Sequence, residues 1–160
     1  MENSLHMNTG NTAPDPKPSV LNVLKCKCPR CRRGDMFYEK NPYRLKTTLK
    51  MRENCEVCGQ AFDLEVGFYY GSSYVSYALS IMITVAFLLL FILVIGISLD
   101  DNRFFYWLVA NAVLLVSLQP LLMREARSIW LAFFVPYNAD WRNTPAKKPE
   151  RINEDQKNNW

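Results

Sequence analysis

The dominant pattern along the chain is an interruption of charge. Tyr74–Leu99 and Phe104–Met123 are runs of 26 and 20 positions without one Asp, Glu, Lys or Arg. The centre of the first, Ile81 to Ile95, is apolar on every side and lacks the polar stripe of a soluble surface helix. A hydrocarbon core of ~30 Å needs about 20 apolar helical residues, so both runs are long enough to cross. The rest of the chain is too short to cover two such helices as a soluble core. The first run also starts more than 70 residues in, away from a signal-peptide position. Only Asp100, Asp101, Asn102 and Arg103 lie between the runs, which predicts an antiparallel hairpin with both chain ends on one side.

Positive charge near the spans orients the hairpin. The turn has Arg103 alone, whereas Arg124, Arg127, Arg142, Lys147 and Lys148 follow the second span. Both tails are therefore expected in the cytoplasm of a bacterial inner membrane, with the acidic turn outside. Aromatic residues mark the interfaces: Tyr69, Tyr70, Tyr74 and Tyr77 at the inner entrance, and Phe104, Phe105, Tyr106 and Trp107 at the outer return. After Arg124, Ser128–Val135 is too short to cross. With Trp130, Tyr137 and Trp141 it predicts an interfacial segment over 124–141, ended by Pro136. Pro120 either kinks the second helix or sits near its end. The spans contain no ionisable group, the usual mark of a proton or ion path. Asn111 and Gln119 are expected to hydrogen-bond across the hairpin or between copies, in preference to lining a substrate site.

All five cysteines precede the spans. Cys28-Pro29-Arg30-Cys31 and Cys55-Glu56-Val57-Cys58 are two CxxC knuckles separated by 23 residues. Two intervening residues let one tight turn aim both sulfurs at one ion, and two knuckles at this separation form a Cys₄ signature. Gly59, and by analogy Gly34, fits the positive φ such turns need. Four thiolates close a tetrahedral zinc site, which makes the ion structural. A disulfide framework requires an oxidising compartment. A thioredoxin-like motif requires a βαβ context, and covalent haem a histidine after the CxxC. An iron–sulfur cluster also takes four cysteines, but the paired knuckles favour zinc. Cys26 is either a spare thiol or an alternative to Cys28 as ligand.

Met36–Tyr38, Tyr43–Met51 and Phe62 with Leu64 carry strand-like alternation. The predicted head is a small N-terminal β-rich, zinc-ribbon-like unit over 25–66, folded by its metal. Lys25 to Cys58 holds ten Lys/Arg and four Asp/Glu. Lys25, Lys27, Arg30, Arg32 and Arg33 gather at the first knuckle. They could form a plain solvated face or meet anionic lipid, while the membrane tether disfavours nucleic acid. Residues 67–73 form an interfacial junction, where Glu65 is a candidate partner for Arg124. Residues 1–24 and 142–160 read as disordered tails. The resulting order is tail, metal unit, junction, span 74–99, turn 100–103, span 104–123, interfacial segment and tail.

The sequence CPRC-R-x-G, then CxVCGQxF, then E-x-GFYYG-x-x-YVSYAL and two apolar spans resembles a bacterial membrane family, family 983 of the domains of unknown function. The resemblance covers Lys25 to Trp141, and GFYYG is similar to the Bacteroidota version. It implies that Cys28, Cys31, Cys55 and Cys58 are the metal ligands, and it brings no activity. It implies respiratory assembly as a setting, through association with cytochrome oxidase genes. The stretch before Cys55 is longer than in the compact family version.

Averages hide this division. The 160 residues have net charge +4 and are 49% hydrophobic, with a mean hydropathy of −0.11, all ordinary for a globular protein. Such a length excludes a large enzyme, and no triad, acid/base carboxylate pair or nucleotide loop is present. The expected role is a non-catalytic scaffold or assembly factor, held in the bilayer and bound to another membrane protein or to itself. Copper, zinc or thiol-redox handling in oxidase assembly is one alternative, and a subunit of a small oligomeric transporter is another. A reporter fused after Trp160 should behave as cytoplasmic and one inserted at Asp101 as external; the reverse pattern would overturn the orientation.

Overall fold

The computed structural model describes residues 19–96 and 102–149. Positions 1–18, 97–101 and 150–160, which include most of the expected turn and much of both expected tails, lie outside the described residues. Among the described residues three helices follow in order: α1 (Leu21–Leu24), α2 (Ser72–Val94) and α3 (Arg103–Phe134), with a 3-10 turn at Phe68–Gly71 leading into α2.

The helices α2 and α3 pack against each other as an antiparallel pair, and both are long and apolar enough to cross a membrane. The most apolar 18-residue stretch of the first has no buried residue at all. Leu93 is 83% exposed, Met82 65% and Val116 75%. A core helix of a soluble protein would bury such side chains, and a soluble surface rarely leaves so large a continuous apolar area in water. At the far end of the pair, Gly96 adopts φ 76° and donates its N–H to Ile92 O. Arg103 then places Nη1 3.0 Å from Ile95 O. A cation is thus set on the carbonyl end of α2, where the helix dipole favours one.

The second long helix corrects the expected interfacial segment over 124–141. Residues 124–134 continue α3 without a break, and Pro120 lies inside it. Proline removes one N–H, a local loss that the rest of the helix survives. At 32 residues, α3 is ~48 Å long, against ~35 Å for α2. Its extra length is a post for the N-terminal head. Arg124, Ser128, Leu131 and Val135 are all buried, and their spacing of four, three and four places them on one face.

The head core is Met36, Phe37, Met51, Phe62, Leu64 and Tyr69 around the cysteines, completed by Leu131 and Val135. Among the described residues no β-strand forms. The expected strands are reduced to single antiparallel bridges, Lys27 with Asp35, Phe37 with Met51 and Asn54 with Ala61. The reason is local. Each bridge closes a loop or knuckle whose turns leave no run of residues free to extend a ladder.

Three side chains of α3 hold the head by its backbone. Arg124 donates to Glu39 O at 2.6 Å and Lys40 O at 3.4 Å, with its guanidinium 4.3 Å from the Phe37 ring centre. Arg127 donates to Leu49 O at 3.1 Å, and Ser128 Oγ to Val23 O at 2.6 Å. The proposed Glu65 partner for Arg124 is instead exposed. The last bond also corrects the N-terminal tail boundary, because α1 is docked on α3 ahead of residue 25.

The junction is a close approach. A Cβ added at Gly71 would lie 2.0 Å from the Trp130 ring, and Trp130 Nε1 donates to Phe68 O at 2.8 Å. Gly71→Ala should therefore destabilise docking of the head on α3 by about 1–3 kcal/mol. Denaturant unfolding in detergent, followed by tryptophan fluorescence, would show the midpoint falling.

Candidate metal centre

The sulfurs of Cys28, Cys31, Cys55 and Cys58 all lie within 4.8 Å of one another. Cys28 Sγ is 3.7 Å from Cys58 Sγ, and Cys31 Sγ is 3.7 Å from Cys55 Sγ. Disulfide sulfurs sit at ~2.05 Å, so these are not bonded pairs. A tetrahedral ion with four sulfurs at ~2.3 Å has edges of ~3.8 Å. The donor set and its spacing therefore fit one thiophilic ion held by both knuckles.

Each knuckle is closed by a backbone bond to its first cysteine from four residues on, and by a second whose reach differs by one residue. Arg32 N donates to Cys28 O at 2.7 Å, and Gly59 N donates to Cys55 O at 2.9 Å. Cys28 N bonds Gly34 O, and Cys55 N bonds Gln60 O, both at 2.8 Å. The residue after each second cysteine takes positive φ: Gly59 at 69° and Arg32 at 56°. Gly34 is thus not the φ counterpart of Gly59. Its lack of a side chain serves a close approach instead, because a Cβ there would come 2.4 Å from Cys55 Sγ.

The crowded thiols share their protons unequally. Cys31 is held far below the usual thiol range by the thiols of Cys28, Cys55 and Cys58, with help from the Gly34 N–H. Cys55 is lowered to about 7, the hydrogen bond from Cys28 leading. Cys28 is correspondingly raised by its thiol neighbours. A bound cation would replace the shared protons. Cys26 lies apart from the quartet. It is half-buried beside the core, and desolvation lifts it to about 11.

The basic group expected at the first knuckle is divided. Lys25 is exposed. Lys27 pairs with Asp35 at 2.6 Å. Arg32 stacks on Tyr137 at 4.2 Å, and Arg33 is half-buried. Arg30 is only 4% exposed, so it is no surface residue. Its guanidinium donates to Cys58 O at 3.1 Å and Thr144 O at 2.5 Å, and reaches Trp141 O at 3.4 Å. These bonds draw residues 138–147 across the knuckles as a strap. Gln60, fully buried, fixes its far end by donating to Lys147 O at 3.0 Å and accepting from Lys147 N at 3.1 Å. The C-terminal tail expected from residue 142 is therefore docked through 147. Buried carbonyls need donors, and two knuckle side chains supply them.

The aromatic and polar markers also divide. Tyr70, Tyr74 and Tyr77 are exposed on one helical face. Tyr69 is buried in the head, its hydroxyl on Phe62 O at 2.5 Å, and Trp130 packs on the junction. Trp141 lies against the head core. Trp107 is buried at the far end of α3, beside Phe104. Asn111 does not bond across the hairpin through its carbonyl oxygen, which is buried without a partner among the described residues. Gln119 points outward. The roles of Gln60, Arg124 and Arg127 as donors to distant carbonyls have no signature in local sequence, apart from Gln60 following CxxCG in the same position relative to its knuckle as Arg33 to the first.

Gly34→Ala should push on Cys55 and weaken metal retention roughly 10–100-fold, read by competition with a chromogenic chelator. Protons compete with metal for sulfur, so acidification from about pH 8 to about pH 5 should release the ion. Metal content and head folding should fall together in that titration, and retention should rise again as pH returns.

The family described as "Protein of unknown function (DUF983)" matches residues 45–134, more than half of the chain. The match takes in the second knuckle, the junction and both long helices; it is narrower than Lys25 to Trp141 and stops short of the first knuckle. No curated protein and no solved structure matches. With a quartet of close cysteines joined to two long apolar helices, the chain belongs to the DUF983 family of proteins of unknown function.

Proposed function

We propose that the chain is an integral protein of the bacterial inner membrane, with both termini cytoplasmic, acting as a non-catalytic scaffold or assembly factor. In this reading α2 and α3 cross the bilayer, and the quartet holds one structural zinc ion in a zinc-ribbon-like head, with isolated bridges in place of a ladder. The partner is another membrane protein or a second copy, and respiratory oxidase assembly is the setting the family resemblance favours. Zinc fits because four thiolates in a tetrahedral set are its usual closed structural environment.

One observation carries the reading. Three of the four ligands are enclosed: Cys28 and Cys31 are fully buried and Cys55 nearly so, while Cys58 is half-buried, and the strap is bound over the knuckles through Arg30 and Gln60. Four protein ligands leave no coordination position for a substrate or for an ion in transit. The metal then fixes a surface, and α3 carries that surface at a set height above the membrane.

Metal analysis of purified full-length protein tests this. One zinc per chain, retained through mild chelation and lost only with unfolding of the head, is the expected result. Substoichiometric copper, or rapid thiol labelling of the folded metal-loaded protein, would replace scaffolding with metal or thiol handling.

A further inference from the structure

The segment between the knuckles supplies core residues and docking carbonyls at its ends, and a basic loop in its middle. From Lys40 to Lys50 it carries four cations, Lys40, Arg44, Lys46 and Lys50, and no acidic residue. It is a built loop. Asn41 Oδ1 accepts the Tyr43 N–H at 2.9 Å, Thr48 Oγ1 donates to Pro42 O at 2.6 Å, and Thr47 N donates to Arg44 O at 3.0 Å. This ordered frame nevertheless holds Leu45 73% exposed and Tyr43 57% exposed, between exposed cations. Arg44 reaches back to Glu39 at 2.8 Å while its side chain stays 71% exposed.

The feet of the loop decide where it sits. Arg124 is the first residue after the charge-free run of α3, and it binds Glu39 O and Lys40 O. Arg127, three residues further on, binds Leu49 O. Both ends of the loop are therefore tied within one side-chain length of the point where α3 leaves the apolar zone. The exposed tyrosines Tyr70, Tyr74 and Tyr77 lie at the matching end of α2. The strap instead follows the end of α3 at Phe134, meeting the first knuckle through Asn138 N on Arg30 O and the second through Lys147 on Gln60.

We propose that the Lys40–Lys50 loop is a lipid-headgroup clamp. Tyr43 and Leu45 enter the headgroup layer, while Lys40, Arg44, Lys46 and Lys50 engage phosphates of anionic lipids. The clamp locks the head against rotation about α3. Charge complementarity selects the occupant: four exposed cations against the single flanking carboxylate Glu39 make a net positive patch at headgroup height, which meets anionic phosphate first. Amphipathic basic residues at this height bind through buried apolar area and electrostatic attraction together, and each Lys or Arg near an anionic leaflet contributes roughly fivefold in affinity. The inference rests on α2 and α3 as membrane spans, a point that stable incorporation into nanodiscs checks separately.

The test is lysine footprinting of the full, metal-loaded chain in nanodiscs with a water-soluble acylating reagent. Discs of phosphatidylcholine are compared with discs containing phosphatidylglycerol. Labelling of Lys40, Lys46 and Lys50 should slow about fivefold in the anionic discs, while Lys147 on the strap labels equally in both. High salt should remove the difference. Arg44→Glu combined with Lys46→Glu, both on exposed side chains, should abolish the slowing at Lys40 and Lys50 with metal content unchanged. Leu45→Asp should weaken it. Equal labelling in both lipids overturns the proposal, as does slowing that extends to Lys147. Protection that appears only with a co-purified protein assigns the loop to that protein and also overturns it.

Discussion

Four sulfurs held within van der Waals reach of one another cannot all be thiolates unless a cation sits among them. The head depends on that constraint. Its described residues make no ladder, and a segment of about forty residues cannot fold on apolar burial alone. A cation bound there would supply what the core lacks. The side chains of Met36, Phe37, Met51 and Phe62 then close around the knuckles, and backbone groups that a sheet would have paired are met by turns, by Arg30 and by Gln60. Binding free energy at the quartet would thereby be folding free energy for everything fastened to it.

The second organising feature is the mismatch in helix length. A hairpin with equal arms would leave the head on a flexible leash. Instead α3 extends past the apolar zone and offers Arg124, Arg127 and Ser128 to main-chain carbonyls of the head. Arginine suits this use because its several donors satisfy carbonyls in a fixed geometry. Contacts to carbonyls constrain the position of a loop and leave its side chains free for another purpose, as in the Lys40–Lys50 segment. The strap closes the arrangement from the other end, so both flanks of the hairpin converge on the same cysteine-centred unit.

Much of this plan was legible along the chain, because it was written in residue type and spacing. Charge-free runs of sufficient length imply apolar helices whatever surrounds them, and two CxxC pairs imply a common ion. The parts that were misread share a cause. The sequence places Arg30 in a basic surface group and Arg124 and Arg127 among the charges that orient the hairpin, yet each turns its guanidinium to carbonyls from distant parts of the chain. Tyr69 and Trp130 were read with their neighbours as interfacial aromatics, whereas Gly71 admits the Trp130 ring so closely that the junction becomes part of the core. Alternation between the knuckles read as strands, but a strand requires a partner in register, and the knuckles allow only single bridges.

The sequence alone determined the inventory: two apolar helices joined in a hairpin, four sulfur donors in two turns, and a basic segment ahead of the membrane. Those properties follow from local composition and short-range geometry. Tertiary structure decided the assignments. It made one long helix of a span and a supposed interfacial segment, turned a disordered tail into a strap, and set three arginines at the joints. A guanidinium or an amide is equally at home in water or on a buried carbonyl. Only the distant chain that brings the carbonyl to it settles which, and local sequence does not contain that information.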